Sequence, residues 1–345
     1  VFHTIFDSAW IGLDGAFHFT LPAYFVGVML GFLGAAKLGY DEVEHYDDVD
    51  GRTWIDFSIW MLLIGVIGAR LAHVVFDGLF WEYAHIATDP YLLEGVALPS
   101  APECVTNAQC LQAQSRGFDI GAICNPADGL CYPQQDPFRW LKFWAGGLTI
   151  YGSLIGCTVV GWWFIRKHDL GPWRILDITG MVVPFGLFMG RLGCTGAGCC
   201  FGEVCSIDFL GIRFPEGTAA HQLHVEQYAG QLAQQASSGL AGSLPVWPTQ
   251  LLSAAYALAI FYFAYFWLRP RKRFHGQIFL TSAVLYGICR FSVEFLRADQ
   301  RGELLGLATS QTLSIPVVLA AGFVLWRKLR ETDELDAIVD RETGA

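Results

Sequence analysis

The chain has 345 residues, a formal net charge of −10, 53% hydrophobic residues and only 16% charged ones. Soluble domains carry roughly 25% charged residues and disorder needs low hydrophobicity with high charge, so the composition argues against both. The acidic balance argues against nucleic acid as a partner, since phosphate binding needs a basic face.

Apolar runs long enough to cross a bilayer core then decide the class. Seven spans are expected, at about 21–39, 54–76, 141–165, 175–195, 247–268, 277–296 and 310–326. The twelve Trp and twelve Tyr suit interfacial belts. No Lys or Arg precedes the first span, so no basic leader region is visible and that span is expected to be retained. Basic residues follow the third span (Arg166, Lys167, Arg174), the fifth (Arg269, Arg271, Lys272, Arg273) and the seventh (Arg327, Lys328, Arg330). With seven spans all three groups fall on one side, which the positive-inside rule makes cytoplasmic. The acidic loop DEVEHYDDVDGR after the first span also falls inside, but acidic residues count little in this rule.

The expected fold is therefore an all-α polytopic membrane protein of about seven transmembrane helices, N-terminus outside and C-terminus cytoplasmic. Residues 1–91 hold the N-terminal segment and the first two spans. Residues 92–138 form an extracytoplasmic Cys-rich insert, and 139–200 the third and fourth spans with a Gly-rich loop. Residues 201–246 form an extracytoplasmic head in which HQLHVEQYAGQLAQQASS can make a short polar helix. Residues 247–330 carry the last three spans, and 331–345 a cytoplasmic tail.

Ten cysteines fall into three groups. Cys104, Cys110, Cys124 and Cys131 lie in the insert, where an oxidising compartment favours two disulfides. Three connectivities are open, and zinc is the alternative, without the paired Cys-x-x-Cys spacing that it prefers. The insert looks like a stapled module able to contact an extracytoplasmic protein. Cys194, Cys199, Cys200 and Cys205 crowd RLGCTGAGCCFGEVC. There the choice lies between a disulfide or tight packing and a metal site of atypical spacing, and no metal is assigned. Cys157 and Cys289 read as apolar packers within spans.

Ionisable residues within spans are the sharper pointers, because burying them is expensive. Arg70 lies in the second span and Arg191 near the end of the fourth. Arg290 and Glu294 lie in the sixth, with Arg297 at its end on the same helix face. A structural ion pair or arginines snorkelling to headgroups is the plainer explanation. Several arginines at similar outer depth instead suggest an anion site, and lipid phosphate suits a guanidinium fork. The glycines of GRLGCTGAGCCFG lead us to expect that the fourth span breaks into a loop lining a cavity, with close helix packing as the alternative.

These segments resemble the bacterial prolipoprotein diacylglyceryl transferase family. Gly190-Arg191-Leu192-Gly193 with Gly198 and Gly202 resembles its central signature. Gly146-Gly147-Leu148 with Tyr151-Gly152 resembles its GGLxxHG stretch, and Pro248-Thr249-Gln250-Leu251 its P-[ST]-Q-L stretch. Tyr286-Gly287, Arg290-Phe291 and Val293-Glu294-Phe295-x-Arg297 resemble its YGxxRFxVEFxR stretch. Gln311 with Leu313-Ser314-Ile315-Pro316 resembles its last-helix pattern, Gly68-Ala69-Arg70-Leu71 its second-helix pattern, and Tyr24 its helix-one tyrosine. The resemblance runs in order over most of the chain and excludes the insert.

It implies a multi-pass protein of the bacterial inner membrane that moves a diacylglyceryl group from phosphatidylglycerol to the lipobox Cys thiol of a pre-lipoprotein. A thioether forms and glycerol 1-phosphate leaves, with no cofactor needed. It implies catalytic roles for Tyr151, Arg191, Arg290 and Glu294. Phospholipid contacts fall to Arg191, Arg290, Arg70, Tyr24, Gly193, Gly198, Gly202, Gln250 and Arg297. Arg191 and Arg290 would hold the phosphate, and Glu294 would orient an arginine or act as base. Four positions depart from the family pattern. Tyr151 stands where many members have His, Cys194 where the signature has Asn, and Cys199 where it has Glu. Ser253 also replaces an acidic residue. Tyrosine, with a pKa near 10, is a poor base at neutral pH; His73, three residues after Arg70, is a possible substitute. A non-catalytic lipid-binding paralogue of the same fold is the alternative, and a metal or redox protein built on the second Cys group is a third.

Overall fold

A computed structural model describes residues 4–7, 20–45, 49–76, 78–95, 104–110, 122–141, 149–207, 209–298, 303–304 and 306–343. The chain forms two compact units, residues 1–55 with 170–345, and residues 56–169. Each of the seven expected spans is met by a helix, and five helices are long and apolar enough to cross a membrane. The fold is that of a helical polytopic membrane protein.

The first unit is built on α1 (Ala23–Val43), α6 (Pro172–Ala197), α9 (Thr249–Tyr262), α10 (Gln277–Glu294) and α11 (Thr309–Thr343). α9 continues as a π-helical turn over Phe263–Leu268. Glycine sets how closely α1 meets α6. A Cβ at Gly27 would lie 2.7 Å from the Met189 carbonyl oxygen and 2.8 Å from Gly193 Cα, and one at Gly193 would lie 3.0 Å from the Tyr24 carbonyl oxygen. Small residues at such a seam let backbones approach where lipid gives no hydrophobic drive. This corrects the expected break in the fourth span: α6 stays helical through Gly190 and Gly193 to Ala197 and is ended by Gly198 at φ 68°. An unbroken helix satisfies its own backbone in lipid, and Gly193 serves packing against α1, whereas a Cβ at Gly190 would meet nothing within 4 Å.

Asp177 of α6 fixes the start of α10. Its buried carboxylate accepts the backbone N–H groups of Gly276 (2.9 Å), Ile278 (2.9 Å) and Phe279 (3.2 Å), and Lys272 Nζ lies 3.3 Å away. An anion on the exposed N–H groups of a helix start is favoured by both hydrogen bonding and the dipole. Arg269 pairs with buried Glu42 at 2.7 Å.

Between α6 and α9, residues 201–246 hold α7 (Ala219–Gln227) and α8 (Ala229–Ser237), so the polar helix is two helices parted at Tyr228. Phe201, Phe214, Ala220 and Val246 form the apolar core of this head. His224 is buried and its Nδ1 accepts the Leu244 N–H at 3.1 Å, which requires a neutral ring. Burial, and then the neighbouring His221, hold its pKa below the ordinary imidazole value. An unfolded imidazole titrates near 6.5. Below that pH the unfolded head takes up the proton first, so stability is complete above it and declines as pH falls. Hydrogen-exchange protection of residues 219–237, corrected for intrinsic rate, should be lower at pH 5.5 than at pH 7.5. Equal protection would contradict this role for His224.

The second unit holds residues 56–76 of α2 (Gly51–Phe76), then α3 (Phe80–Thr88) and α5 (Ile150–Lys167). α2 and α5 meet through Gly68 and Gly152, where a Cβ would strike the facing backbone. Ser153 Oγ donates to the Gly65 carbonyl at 2.5 Å, and the Phe57 and Phe164 rings lie 5.5 Å apart. In the insert, a helical turn α4 (Asn107–Cys110) precedes a hairpin of β-strands 122–125 and 130–133. Disulfides join Cys104 to Cys124 and Cys110 to Cys131, which selects one of the three connectivities and sets the zinc alternative aside there. The Tyr132 hydroxyl, followed by the Leu130 N–H, holds the Asp128 carboxyl below the usual range and closes the turn.

Candidate functional site

In the first unit, one turn after another of α10 places Tyr286, Arg290 and Glu294 on a single face, with Arg297 just beyond its end. Arg290 and Glu294 form a buried i,i+4 ion pair, and Arg297 Nε lies 3.8 Å from the same carboxylate. One carboxylate thus faces two guanidiniums. Low-dielectric surroundings make such a pair strong only while its geometry is kept.

Arg191 sits on the last turns of α6. Its charge is felt by Cys194, Cys200, Tyr256 and Tyr286. Among the described residues, no hydrogen bond or ion pair is made by its guanidinium. Tyr256 of α9 and Tyr286 of α10 stand edge-to-face with ring centres 5.8 Å apart. Tyr24, at the start of α1, lies within electrostatic reach of Arg191 and of Cys194, Cys199 and Cys200. The region is therefore positive overall, with one guanidinium left to meet an anion.

The segment after α6 is held from two sides. Gln250, fully buried on the first turn of α9, donates its amide N–H to the Cys199 carbonyl at 2.8 Å, and Thr249 Oγ1 donates to the Cys200 carbonyl at 2.8 Å. Gly202 exchanges short backbone contacts with Trp247 and Leu296, where any side chain would collide at 2.6–2.8 Å. The Gly202 N–H reaches the Trp247 carbonyl at 3.1 Å, and the Glu203 N–H the Leu296 carbonyl at 2.9 Å. Gly198 and Cys200 both take left-handed backbone, at φ 68° and 61°. For cysteine that conformation is strained and persists only where neighbours enforce it. Gln311 ties the start of α11 to α10, donating to the Phe291 carbonyl at 3.4 Å.

Of the residues singled out from sequence, Arg191, Arg290, Glu294, Arg297, Tyr24, Gln250, Gly193, Gly198 and Gly202 belong to this unit. Gly193 lies in the α1–α6 seam, whereas Gly198, Gly202 and Gln250 shape the segment after α6. Arg70 and Tyr151 belong to the second unit. There Arg70 is buried, donates to the carbonyls of Arg139 (2.7 Å) and Trp140 (3.1 Å), and lies over the Tyr83 ring at 5.0 Å. His73 stands edge-to-face to the same ring at 6.1 Å. Tyr151 is half-exposed on the first turn of α5. Gly146, Gly147 and Leu148 lie outside the described residues. Tyr256 and Thr249 were not among the expected site residues. The signal for them was present: 249, 253 and 256 recur at helical spacing on the buried face that carries Gln250.

The family model described as "Prolipoprotein diacylglyceryl transferase" matches residues 123–327, more than half of the chain. The match begins inside the insert and includes the α6 signature, the α9 start, and Arg290 through Arg297. Curated relatives include the phosphatidylglycerol–prolipoprotein diacylglyceryl transferases of Xylella fastidiosa (31% identical, 57% of this chain and 68% of the relative) and Neisseria meningitidis (35%, 54% and 68%). That of Solidesulfovibrio magneticus is 30% identical over 59% of this chain and 68% of its own length. Taken together with the ordered motifs on α6, α9 and α10, these matches establish that the chain belongs to the prolipoprotein diacylglyceryl transferase family, whose curated members are transferases.

Proposed function

We propose that this protein transfers the diacylglyceryl group of phosphatidylglycerol to the lipobox Cys of pre-lipoproteins. The single observation that carries the reading is Arg191: a half-buried guanidinium that shares Tyr256 with Arg290 as a neighbour and makes no hydrogen bond or ion pair among the described residues. A cation held so in a membrane protein needs an anion, and the leaving phosphate is one.

The chemistry follows from the charges. The substrate sulfur attacks the glyceryl carbon, the carbon–oxygen bond to phosphate breaks, and its electron pair goes to the phosphate. The thiol proton is released, a thioether forms and glycerol 1-phosphate leaves. Arg191 meets the growing charge on the phosphate, in the manner of preorganised donors at a transition state. Arg290 supports it and is oriented by Glu294, which also holds Arg297. Tyr24 lines the lipid side. Gly198, Gly202, Thr249 and Gln250 shape the segment around the reacting group. For Arg70 and Tyr151 a phospholipid contact is supported by the family resemblance alone. A groove of about 240 Å³ lined by Gly287, Ile288, Phe291, Ile315, Val318 and Leu319 suits part of an acyl chain.

The proposed topology has seven spans, adding α5 and α10 to the five helices above, with the N-terminus outside and the C-terminus in the cytoplasm. The proposed location is the bacterial inner membrane. In this frame residues 92–138 and 201–246 lie outside and 331–345 inside.

Expressed in bacteria depleted of their own transferase, the chain should restore diacylglyceryl modification of a reporter pre-lipoprotein. A reporter left unmodified, with the chain present in the membrane, would favour the lipid-binding paralogue, for which Tyr151 in place of His is the specific support.

A further inference from the structure

The cysteine cluster at the end of α6 is used by nothing described so far. Its Sγ atoms, those of Cys194, Cys199 and Cys200, all lie within 4.8 Å of one another. We propose that these three thiols form a zinc site whose open fourth position receives the lipobox thiol, so that the metal and not a side-chain base activates the nucleophile. This rests on the transferase reading above.

Geometry comes first. Zinc–sulfur bonds of about 2.3 Å place tetrahedral thiolate sulfurs about 3.8 Å apart. The three sulfurs therefore need to close by about 1 Å at most to share one ion. A disulfide uses two of three thiols and strands the last. The four insert cysteines pair fully as two disulfides, whereas none of these three is disulfide-bonded. Cys205, the other cysteine of the stretch, stands apart from the cluster, its thiol donating to the Ile207 carbonyl at 3.3 Å.

The cluster is built rather than accidental. The last turn of α6 supplies Cys194, and the left-handed residues Gly198 and Cys200 turn the chain back on it. Gln250 and Thr249 hold the carbonyls of Cys199 and Cys200. The buried Gln250 Oε1 has no hydrogen-bond partner among the described residues, an acceptor left for something the site receives. Cations flank the sulfurs: Arg297 hydrogen-bonds to Cys200, and Arg191 acts on Cys194 and Cys200. Three thiolates with one Zn²⁺ carry a net charge of −1, which suits that surrounding. Three protein ligands with one open position is the arrangement of catalytic zinc, whereas closed four-ligand sites are structural.

The chemistry answers a gap in this chain. Tyr151 is a weak candidate for a base, and a thiol that coordinates a metal loses its proton outright. The lipobox thiol would bind zinc and release its proton to water. The zinc-bound sulfur attacks the glyceryl carbon, and the carbon–oxygen electron pair leaves on the phosphate beside Arg191. The thioether product is a poorer ligand and departs. Zinc keeps its charge, and nothing is oxidised or reduced.

The test uses the full chain, purified from medium supplied with zinc, with metal measured by elemental mass spectrometry. About one zinc per chain is expected, lost in Cys194→Ser, Cys199→Ser and Cys200→Ser and retained in Cys157→Ser and Cys205→Ser. Cobalt exchanged into unaltered protein should give thiolate-to-metal charge transfer. A lipobox peptide should strengthen that band, and the same peptide with Ser for Cys should not. Zinc at background in unaltered protein, equal zinc in the cluster variants, or a disulfide within the cluster would each overturn the site. Metal-free protein that still transfers lipid would remove the zinc proposal and leave the transferase standing. Zinc-loaded protein that transfers nothing would remove the transferase reading instead.

Discussion

Arg191→Ala is expected to lower kcat/KM for diacylglyceryl transfer about a thousand-fold while leaving the fold intact. Removing one preorganised donor from a developing oxyanion costs 10²–10³ in rate in comparable sites, and here the donor carries a full charge. The fold should survive because, among the described residues, the guanidinium holds no partner that would be orphaned. Arg191→Lys should recover part of the loss, since the charge returns without the bidentate fork. Tyr151→Phe should cost under about ten-fold, because a hydrogen bond to a neutral donor is the smaller contribution. Initial rates at several phosphatidylglycerol concentrations separate the variants. Equal, mild losses in all three would show that Arg191 does not carry the phosphate.

Glu294→Gln should destabilise the protein before any question of rate arises. Its carboxylate faces Arg290 and Arg297, all three of them buried. Breaking a buried pair by removing one partner costs about 3–5 kcal/mol, because a charge is left uncompensated. Replacing both partners with apolar residues of similar volume is often neutral. Arg290→Met with Glu294→Leu should therefore regain only part of the lost thermal stability, because buried Arg297 still loses the carboxylate it faces, and should still transfer no lipid. Thermal unfolding in detergent, followed by size exclusion, reads this directly. A Glu294→Gln protein as stable as the unaltered one would mean that the cluster is hydrated and its pairing weak.

How far the sequence was legible depended on which force set each feature. Helix positions were legible because apolar runs of bilayer length have few other uses. Arg290, Glu294 and Arg297 were legible as one face because i,i+4 spacing is fixed by the helix itself. The Gly190–Gly202 stretch misled. Glycine density signals both an irregular loop and a tight helix seam, and only the partner decides: at Gly193 the partner is the backbone of Tyr24. The disulfide pairing could not be read, since four cysteines allow three connectivities. The fastening of Cys199 and Cys200 by Gln250 and Thr249 joins residues some fifty positions apart, and no local pattern announces such a contact.

The most direct measurement places purified protein in phosphatidylglycerol vesicles with a lipobox peptide and follows two products at once. Release of glycerol 1-phosphate and the peptide's mass gain of one diacylglyceryl group should rise together, mole for mole, and both should vanish with Arg191→Ala. Peptide left unmodified and no glycerol 1-phosphate released, in vesicles where a curated relative is active, would contradict the assignment of transfer to this chain.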